Sequence, residues 1–274
     1  MSLKKDASGR RSIQVECEVP GTPEEVWQAI ATGPGITAWF VPAAFQEKAG
    51  KPISVTMSFG PGMDAESKIT EWNPPHRFAA EGDLGPGSPP MATEWIVEAK
   101  AGGTCIVRVV HSLFASTDDW DNQLENVEQG WPGFFKILRI YLEHFRGMPC
   151  ASTMAMAFTQ GSEADAWNTV TGPLALAGVT KGQAWKSPAG VPPLSGTVAE
   201  VIANEHMKNL LMRLDAPTPG VASVAAVNCG GPIQVCLSLY LYGDRAAAAI
   251  AQDQPLWQEW MNERFPAEDR VAQG

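Results

Sequence analysis

The first element that the sequence predicts is a strand, because hydrophobic and polar residues alternate over Ser12–Val19. Thr22 and Glu25 follow with the spacing of a helix N-cap and its capping-box acid, and Pro23 stands at the first helical position. Apolar residues then recur at the spacing of one helix face as far as Ile30. The chain therefore opens with a strand and a short amphipathic helix.

The same pattern recurs 140 residues further along the chain. Thr153–Thr159 is again a candidate strand. The cap, the acid and two apolar positions of the first copy are repeated, in order, by Ser162, Asp165, Trp167 and Val170. Because strand, cap, acidic first turn and Trp recur in one frame, the chain is predicted to be an internal duplication.

Several alternating segments separated by Gly and Pro turns lie between the helices of each copy. In the first copy they are Ile53–Phe59, Ala65–Trp72, Arg77–Glu81, Ala92–Ala99 and Thr104–Ser112. In the second they are Gly182–Lys186, Gly196–Ile202, Lys208–Leu214, Ala222–Asn228 and Pro232–Tyr242. Consecutive strands joined by short turns predict one antiparallel sheet in each copy, with the helices packed on one face, which is an α+β fold.

Each copy ends in a predicted long helix. The first is predicted over Trp131–Phe145, after a separate helix over Asn122–Gln129. The second is predicted in two parts, Asp244–Ala251 and Leu256–Phe265, with Pro255 kinking or restarting it.

The 274 residues suffice for two ordinary domains. We expect a disordered N-terminal tail over 1–11, a first domain over 12–147 and a second, divergent domain over 151–274. A short Gly and Pro link at Gly147–Cys150 separates the domains.

Charge and hydropathy exclude several classes of function. The net charge is −10 and both halves are acidic, so neither offers the basic surface that nucleic acid requires. No stretch of about 18 apolar residues predicts a membrane span, and the N-terminus lacks the apolar core of a secretory signal. We therefore predict a cytoplasmic protein that binds no nucleic acid.

The titratable residues do not form a metal or cofactor motif. The five cysteines are widely spaced with no C-x-x-C pair, so we expect free thiols in a reducing compartment. Asp118–Asp121 is interpreted as the start of a helix, and Glu205-His206 lacks metal-ligand spacing. No metal and no cofactor are predicted.

Four segments of the first copy carry recognisable motifs. They are Val19–Trp27, Ile69–Phe78 with its Asn-Pro-Pro turn, Gly102–Ser112 and Gly130–Glu143. In this order they resemble the SRPBCC or START-like superfamily. The branch they resemble is named after the activator of the heat-shock-protein-90 ATPase and includes bacterial members. The second copy resembles it in plan only, because it lacks the Asn-Pro-Pro turn and the Gly-Trp-x-Gly helix start.

This resemblance implies two tandem helix-grip domains, each a curved antiparallel sheet wrapped on a long C-terminal helix. It also implies a pocket between sheet and helix that binds apolar molecules. The aromatic residues expected there in the first domain can line an open pocket or simply fill the core. The candidate ligand-binding residues are Trp39, Phe40, Phe59, Trp72, Trp95, His111, Trp131, Phe134, Phe135 and Leu138, with Met57, Phe78 and Phe114 nearby.

His111 is the candidate catalytic residue, because an imidazole beside an apolar pocket can act as a general base or orient a carbonyl. The alternative is a histidine that is simply hydrogen-bonded in the core. Arg108 is expected to share its strand face and to bind a carboxylate, or else to be a solvated strand residue.

Three functions remain open from the sequence. The first is a binding protein for a small hydrophobic molecule in domain one, with domain two structural or regulatory. The second is an enzyme resembling polyketide cyclases or hydratases that uses His111. The third is an interaction protein resembling the chaperone activators. Because the tandem domains are expected to pair within one chain, a monomer is favoured.

Overall fold

The structure is a computed structural model that describes residues 3–7, 9–60, 62–83, 88–114, 121–204, 207–228 and 231–266. The chain divides into two compact units, Met1–Arg146 (unit 1) and Gly147–Gly274 (unit 2). Each unit has one antiparallel sheet and one long C-terminal helix. The α+β class predicted from the alternating segments is therefore confirmed.

Unit 1 contains eight described strands and three helices. In chain order they are β1 (Lys4–Lys5), β2 (Arg10–Pro20), α1 (Pro23–Ile30), α2 (Gly33–Thr37), β3 (Ala43–Lys48), β4 (Lys51–Ser58), β5 (Asp64–Asn73), β6 (Arg77–Asp83), β7 (Pro90–Lys100), β8 (Thr104–Phe114) and α3 (Asp121–His144). The strand order in the sheet is β1-β2-β8-β7-β6-β5-β4-β3. Because α3 packs on β2 and α1 packs on β7, the helices cover one face of the sheet.

Unit 2 repeats this plan. Its elements are β9 (Cys150–Thr159), α4 (Glu163–Thr171), β10 (Ala184–Lys186), β11 (Ser195–Ala203), β12 (Met207–Ala216), β13 (Gly220–Val227), β14 (Ile233–Tyr242) and α5 (Ala246–Arg264). The strand order is β10-β11-β12-β13-β14-β9, and α5 packs against β9 and β14. A sheet wrapped on a long C-terminal helix in each unit is the predicted tandem helix-grip arrangement.

The helix starts follow the predicted capping chemistry. The Glu25 backbone N–H donates to Thr22 Oγ1 at 3.3 Å, and the Thr22 N–H donates to the Glu25 carboxylate at 2.9 Å. In unit 2 the Asp165 N–H donates to Ser162 Oγ at 3.1 Å. These bonds satisfy N–H groups that a helix start leaves without an intrahelical partner.

The N-terminal segment differs from the expected disordered tail over 1–11. Lys4 and Lys5 form β1, which pairs with β2. Asp121 at the start of α3 holds both strands, because it accepts from Arg11 Nε at 2.7 Å and lies 2.8 Å from Lys5 Nζ. Arg11 is buried, so this ion pair is shielded from water.

Both C-terminal helices are continuous where the sequence predicted an interruption, at Gly130 in α3 and at Pro255, the position of the predicted kink or restart, in α5. The expected helices over Asn122–Gln129 and Trp131–Phe145 form the single helix α3, with Pro132 inside it, and α5 runs through Pro255. Both prolines are exposed, whereas Trp131 and Trp257 near them are buried. Burial of the apolar helix faces therefore outweighs the backbone hydrogen bond that each proline removes.

The two faces of β8 have different chemistry. Val107, Val109 and His111 are buried towards the helices. Arg108 lies three residues from His111 and so points to the opposite face. There it forms ion pairs with Glu16 at 2.9 Å and with Glu98 at 2.8 Å. The expectation that Arg108 shares the face of His111 was therefore wrong.

Candidate aromatic site in unit 1

Seven aromatic side chains meet between the sheet of unit 1 and α3, and we call them the aromatic cluster. They are Trp39, Phe40, Phe59, Trp95, Trp131, Phe134 and Phe135. Trp131 is central, with ring centroids 5.2 Å from Trp95, 5.3 Å from Phe40 and 5.3 Å from Phe135. These distances lie in the range of favourable aromatic pairs, so the cluster stabilises unit 1 as well as shaping it.

His111 lies beside this cluster with both ring nitrogens hydrogen-bonded. The indole N–H of Trp131 donates to His111 Nε2 at 2.8 Å, and Thr93 Oγ1 lies 2.9 Å from His111 Nδ1. An indole nitrogen can only donate, so Nε2 must accept. In a neutral ring the proton is then on Nδ1, which donates to the Thr93 hydroxyl oxygen.

Burial keeps this imidazole neutral. His111 is 4% exposed, and desolvation lowers its pKa from 6.5 to about 4. No opposite charge contributes to this pKa. Near pH 7 the ring is therefore uncharged. The Nε2 lone pair, which a general base would use, already accepts a hydrogen bond from the Trp131 indole N–H.

The aromatic cluster has a buried side and a side that solvent reaches. Trp39, Trp95 and Trp131 are at most 5% exposed. Phe59 and Phe134 are only half-buried, and the Phe134 ring lies 4.6 Å from the Phe40 ring. Aromatic surface therefore continues from the exterior to the buried tryptophans.

Trp39 is held by its indole nitrogen as well as by packing. Its N–H donates to the backbone oxygen of Ala29 in α1 at 2.9 Å. Trp39 and Phe40, two of the predicted ligand-binding residues, both lie just after the end of α2. The turn after α2 is thereby tied to α1 and directs both rings towards α3.

Trp72 lies outside the aromatic cluster. It contacts Trp27 on α1 at 5.1 Å and Phe78 on β6 at 5.6 Å. Phe78 stacks on Trp95 at 6.0 Å and so connects this second aromatic group to the cluster. Phe45 on β3 completes the group at 5.8 Å from Trp72. Trp72 and Phe78 were among the predicted residues, whereas Phe45 was missed in the sequence, because it lies on a strand, β3, that the pattern did not predict.

The remaining predicted site residues are placed as follows. Leu138 is fully buried on α3, in the same helix as Trp131, Phe134 and Phe135. The Phe114 side chain, Asp118–Trp120 and Glu205-His206 lie outside the described residues. Among the side chains that the structure does describe, no group of three or more His, Cys, Asp or Glu is arranged to hold a metal. Within the same residues, no helix is both long and apolar enough to cross a membrane.

Comparison with known proteins gives one family and several similar folds. The family model described as activator of Hsp90 ATPase homolog 1-like protein matches residues 20–143. Among curated proteins no match to the chain is found. The di-domain ARO/CYC BexL from the BE-7585A biosynthetic pathway is 14% identical, with a TM-score of 0.45, over 94% of this chain and 99% of BexL.

Two further solved structures are similar. DynU16, from the dynemicin biosynthetic locus, is 17% identical with a TM-score of 0.41, over 94% of this chain and 97% of its own. The Aha1 dimer from Colwellia psychrerythraea is 20% identical with a TM-score of 0.38, over 50% of this chain and 98% of its own. The resemblance found in four sequence segments of the first copy is confirmed by the family-model match, which covers residues 20–143.

Proposed function

We propose that unit 1 binds a small apolar, planar molecule between its sheet and α3, against the accessible side of the aromatic cluster. The observation that carries this proposal is the continuous aromatic surface from half-buried Phe134 through Phe40 to buried Trp131. A planar ligand on Phe134 and Phe59 would make the same edge and face contacts that these rings make with one another.

The polar groups beside the cluster support a ligand that carries one hydrogen-bond acceptor. Thr93 is half-buried, and its hydroxyl oxygen accepts from His111 Nδ1 in the tautomer derived above. The Thr93 O–H proton is then free to point towards a ligand oxygen. A few fixed polar groups in an apolar wall are typical of small-molecule sites.

Titration with the neutral fluorescent probe N-phenyl-naphthylamine tests the proposal. We expect the full chain to bind the probe and Phe134→Ala to weaken binding about tenfold, because the variant removes one of the two half-buried rings of the cluster. The matched control is Phe158→Ala, a half-buried phenylalanine on β9 of unit 2. Equal affinity of both folded variants and the wild type would contradict the proposal.

A cyclase-like or hydratase-like reaction at His111 is the second candidate. In favour of it, a neutral imidazole lies beside an apolar surface. Against it, Nε2 already accepts a hydrogen bond from Trp131. This hydrogen bond must break before Nε2 can act as a base. We therefore rank binding above catalysis.

The family description alone supports a chaperone-related interaction, which we rank third. The expectations of a monomer and of a cytoplasmic location stay predictions.

A further inference from the structure

A groove of about 560 Å³ opens in unit 1 beside α1, away from the aromatic cluster. It is lined by the two indole rings of Trp27 and Trp72. Gln28 and Thr32 contribute to the lining from the helices, and Phe45 and Glu47 contribute from β3. Of the ligand-binding residues predicted from the sequence, only Trp72 lines it. Its volume lies within the range of sites that hold small organic molecules.

Two glycines fix the wall that α2 forms. A Cβ on Gly35 would lie 1.9 Å from the Gln28 backbone oxygen, and one on Gly33 would lie 2.7 Å from the Ala43 backbone oxygen. Such distances are far below van der Waals contact, so only glycine lets α2 pack against both α1 and β3. The position of α2 beside the groove is therefore set by close backbone packing.

The strand pairings on the β3 side of the groove contain two register shifts. The β3–β4 pairing shifts register between Gln46 and Glu47, and the β5–β6 pairing shifts between Ile69 and Glu71. Bulges of this kind redirect the side chains that follow them. Glu47 and Trp72, which both line the groove, come at or just after these shifts.

The chemistry of the lining favours a positive charge. Among the described residues that line the groove, Glu47 is the sole ionisable side chain. Trp72 is half-buried, and its ring meets Trp27 at an angle of 66° with 5.1 Å between centroids. Indole rings attract cations through their electron-rich faces, and the Glu47 carboxylate also attracts a cation.

We propose that this groove is a binding site for a small organic cation that carries an aromatic ring, with its ammonium group near Glu47 and Trp72. An anion is disfavoured, because Glu47 and the net charge of −10 both repel it. The site shares no lining residue with the Phe134 and Phe59 surface, so it stands or falls independently of the function proposed above.

Calorimetric titration of the full chain with three probes of similar size tests the proposal. They are benzylammonium, benzyl alcohol and phenylacetate, which differ mainly in charge. We expect the cation to bind about tenfold more tightly than the alcohol, and phenylacetate to bind most weakly. Equal affinity for the cation and the alcohol would overturn the proposal.

Variants locate the bound cation. Glu47→Gln is expected to weaken binding of benzylammonium about fivefold, with little change for benzyl alcohol. Glu66→Gln, the same change at an exposed position on β5 outside the groove, is the control and should leave binding as in the wild type. Unchanged binding in Glu47→Gln, or loss of cation binding in Phe134→Ala, would assign the cation to another site and contradict the proposal.

Discussion

The two units use the same device to fix the segment after their first helices, yet their interiors differ. In unit 1 the Trp39 indole donates to the Ala29 backbone oxygen at 2.9 Å. In unit 2 the Trp185 indole donates to the Leu174 backbone oxygen at 2.8 Å. A tryptophan anchored on a backbone carbonyl is thus part of the shared framework.

The tryptophans of the C-terminal helices show the difference. Trp131 on α3 finds an acceptor in His111 and is surrounded by aromatic rings. Trp257 and Trp260 on α5 are buried among mainly aliphatic side chains, and their indole nitrogens have no hydrogen-bond partner among the described residues. The framework is therefore common to both units, whereas the polar pair and the accessible aromatic surface belong to unit 1.

The largest expected effect that separates the units is the pH dependence of unit 1. The folded pKa of His111 is about 4 and its ordinary value is 6.5, so the unfolded chain binds the extra proton first as pH falls. The contribution of neutral His111 to the free energy of unfolding is therefore fully present above about pH 6.5 and is lost as the pH falls to about 4. The loss is on the order of 3 kcal/mol in the free energy of unfolding.

Urea denaturation at several pH values measures this effect. His111→Gln has no imidazole to titrate, so its stability should fall less steeply with acid than that of the wild type. His144→Gln, an exposed histidine on α3, is the matched control and should follow the wild type. The same pH dependence in His111→Gln and in the wild type would show that His111 is not the buried neutral ring described here.

A smaller effect is expected from replacing one tryptophan by phenylalanine in each long helix. Trp131→Phe leaves His111 Nε2 buried without a donor, which costs about 1–3 kcal/mol beyond the lost volume. Trp257→Phe removes an N–H that has no described partner, so only the volume change remains. Urea denaturation should therefore show the larger loss for Trp131→Phe. Equal losses would remove the distinction between the two helices.

Much of this fold could be predicted from local pattern. The capping residues Thr22 and Ser162 start helices, and the segments Thr104–Ser112 and Pro232–Tyr242 lie in strands within a few residues of their observed ends. Such elements carry their signal in neighbouring residues, because period and caps are local properties.

Features that depend on distant contacts could not be predicted in this way. β3 is the last strand of the sheet and has a single large apolar residue, Phe45, so no alternation identifies it. The groove at Glu47 requires β3, two register shifts and the close approach of Gly35 to α1. The His111–Trp131 hydrogen bond joins a strand to a helix, and the type of neither residue indicates its partner.

Hydrogen–deuterium exchange of the full chain, with and without N-phenyl-naphthylamine, tests most directly the claim that ligand binding belongs to unit 1. Binding at the aromatic cluster should slow exchange in the part of α3 that carries Trp131 and Phe134 and leave α5 around Trp257 unchanged. Slower exchange in α5 alone, or no change in α3 at saturating probe, would contradict the account.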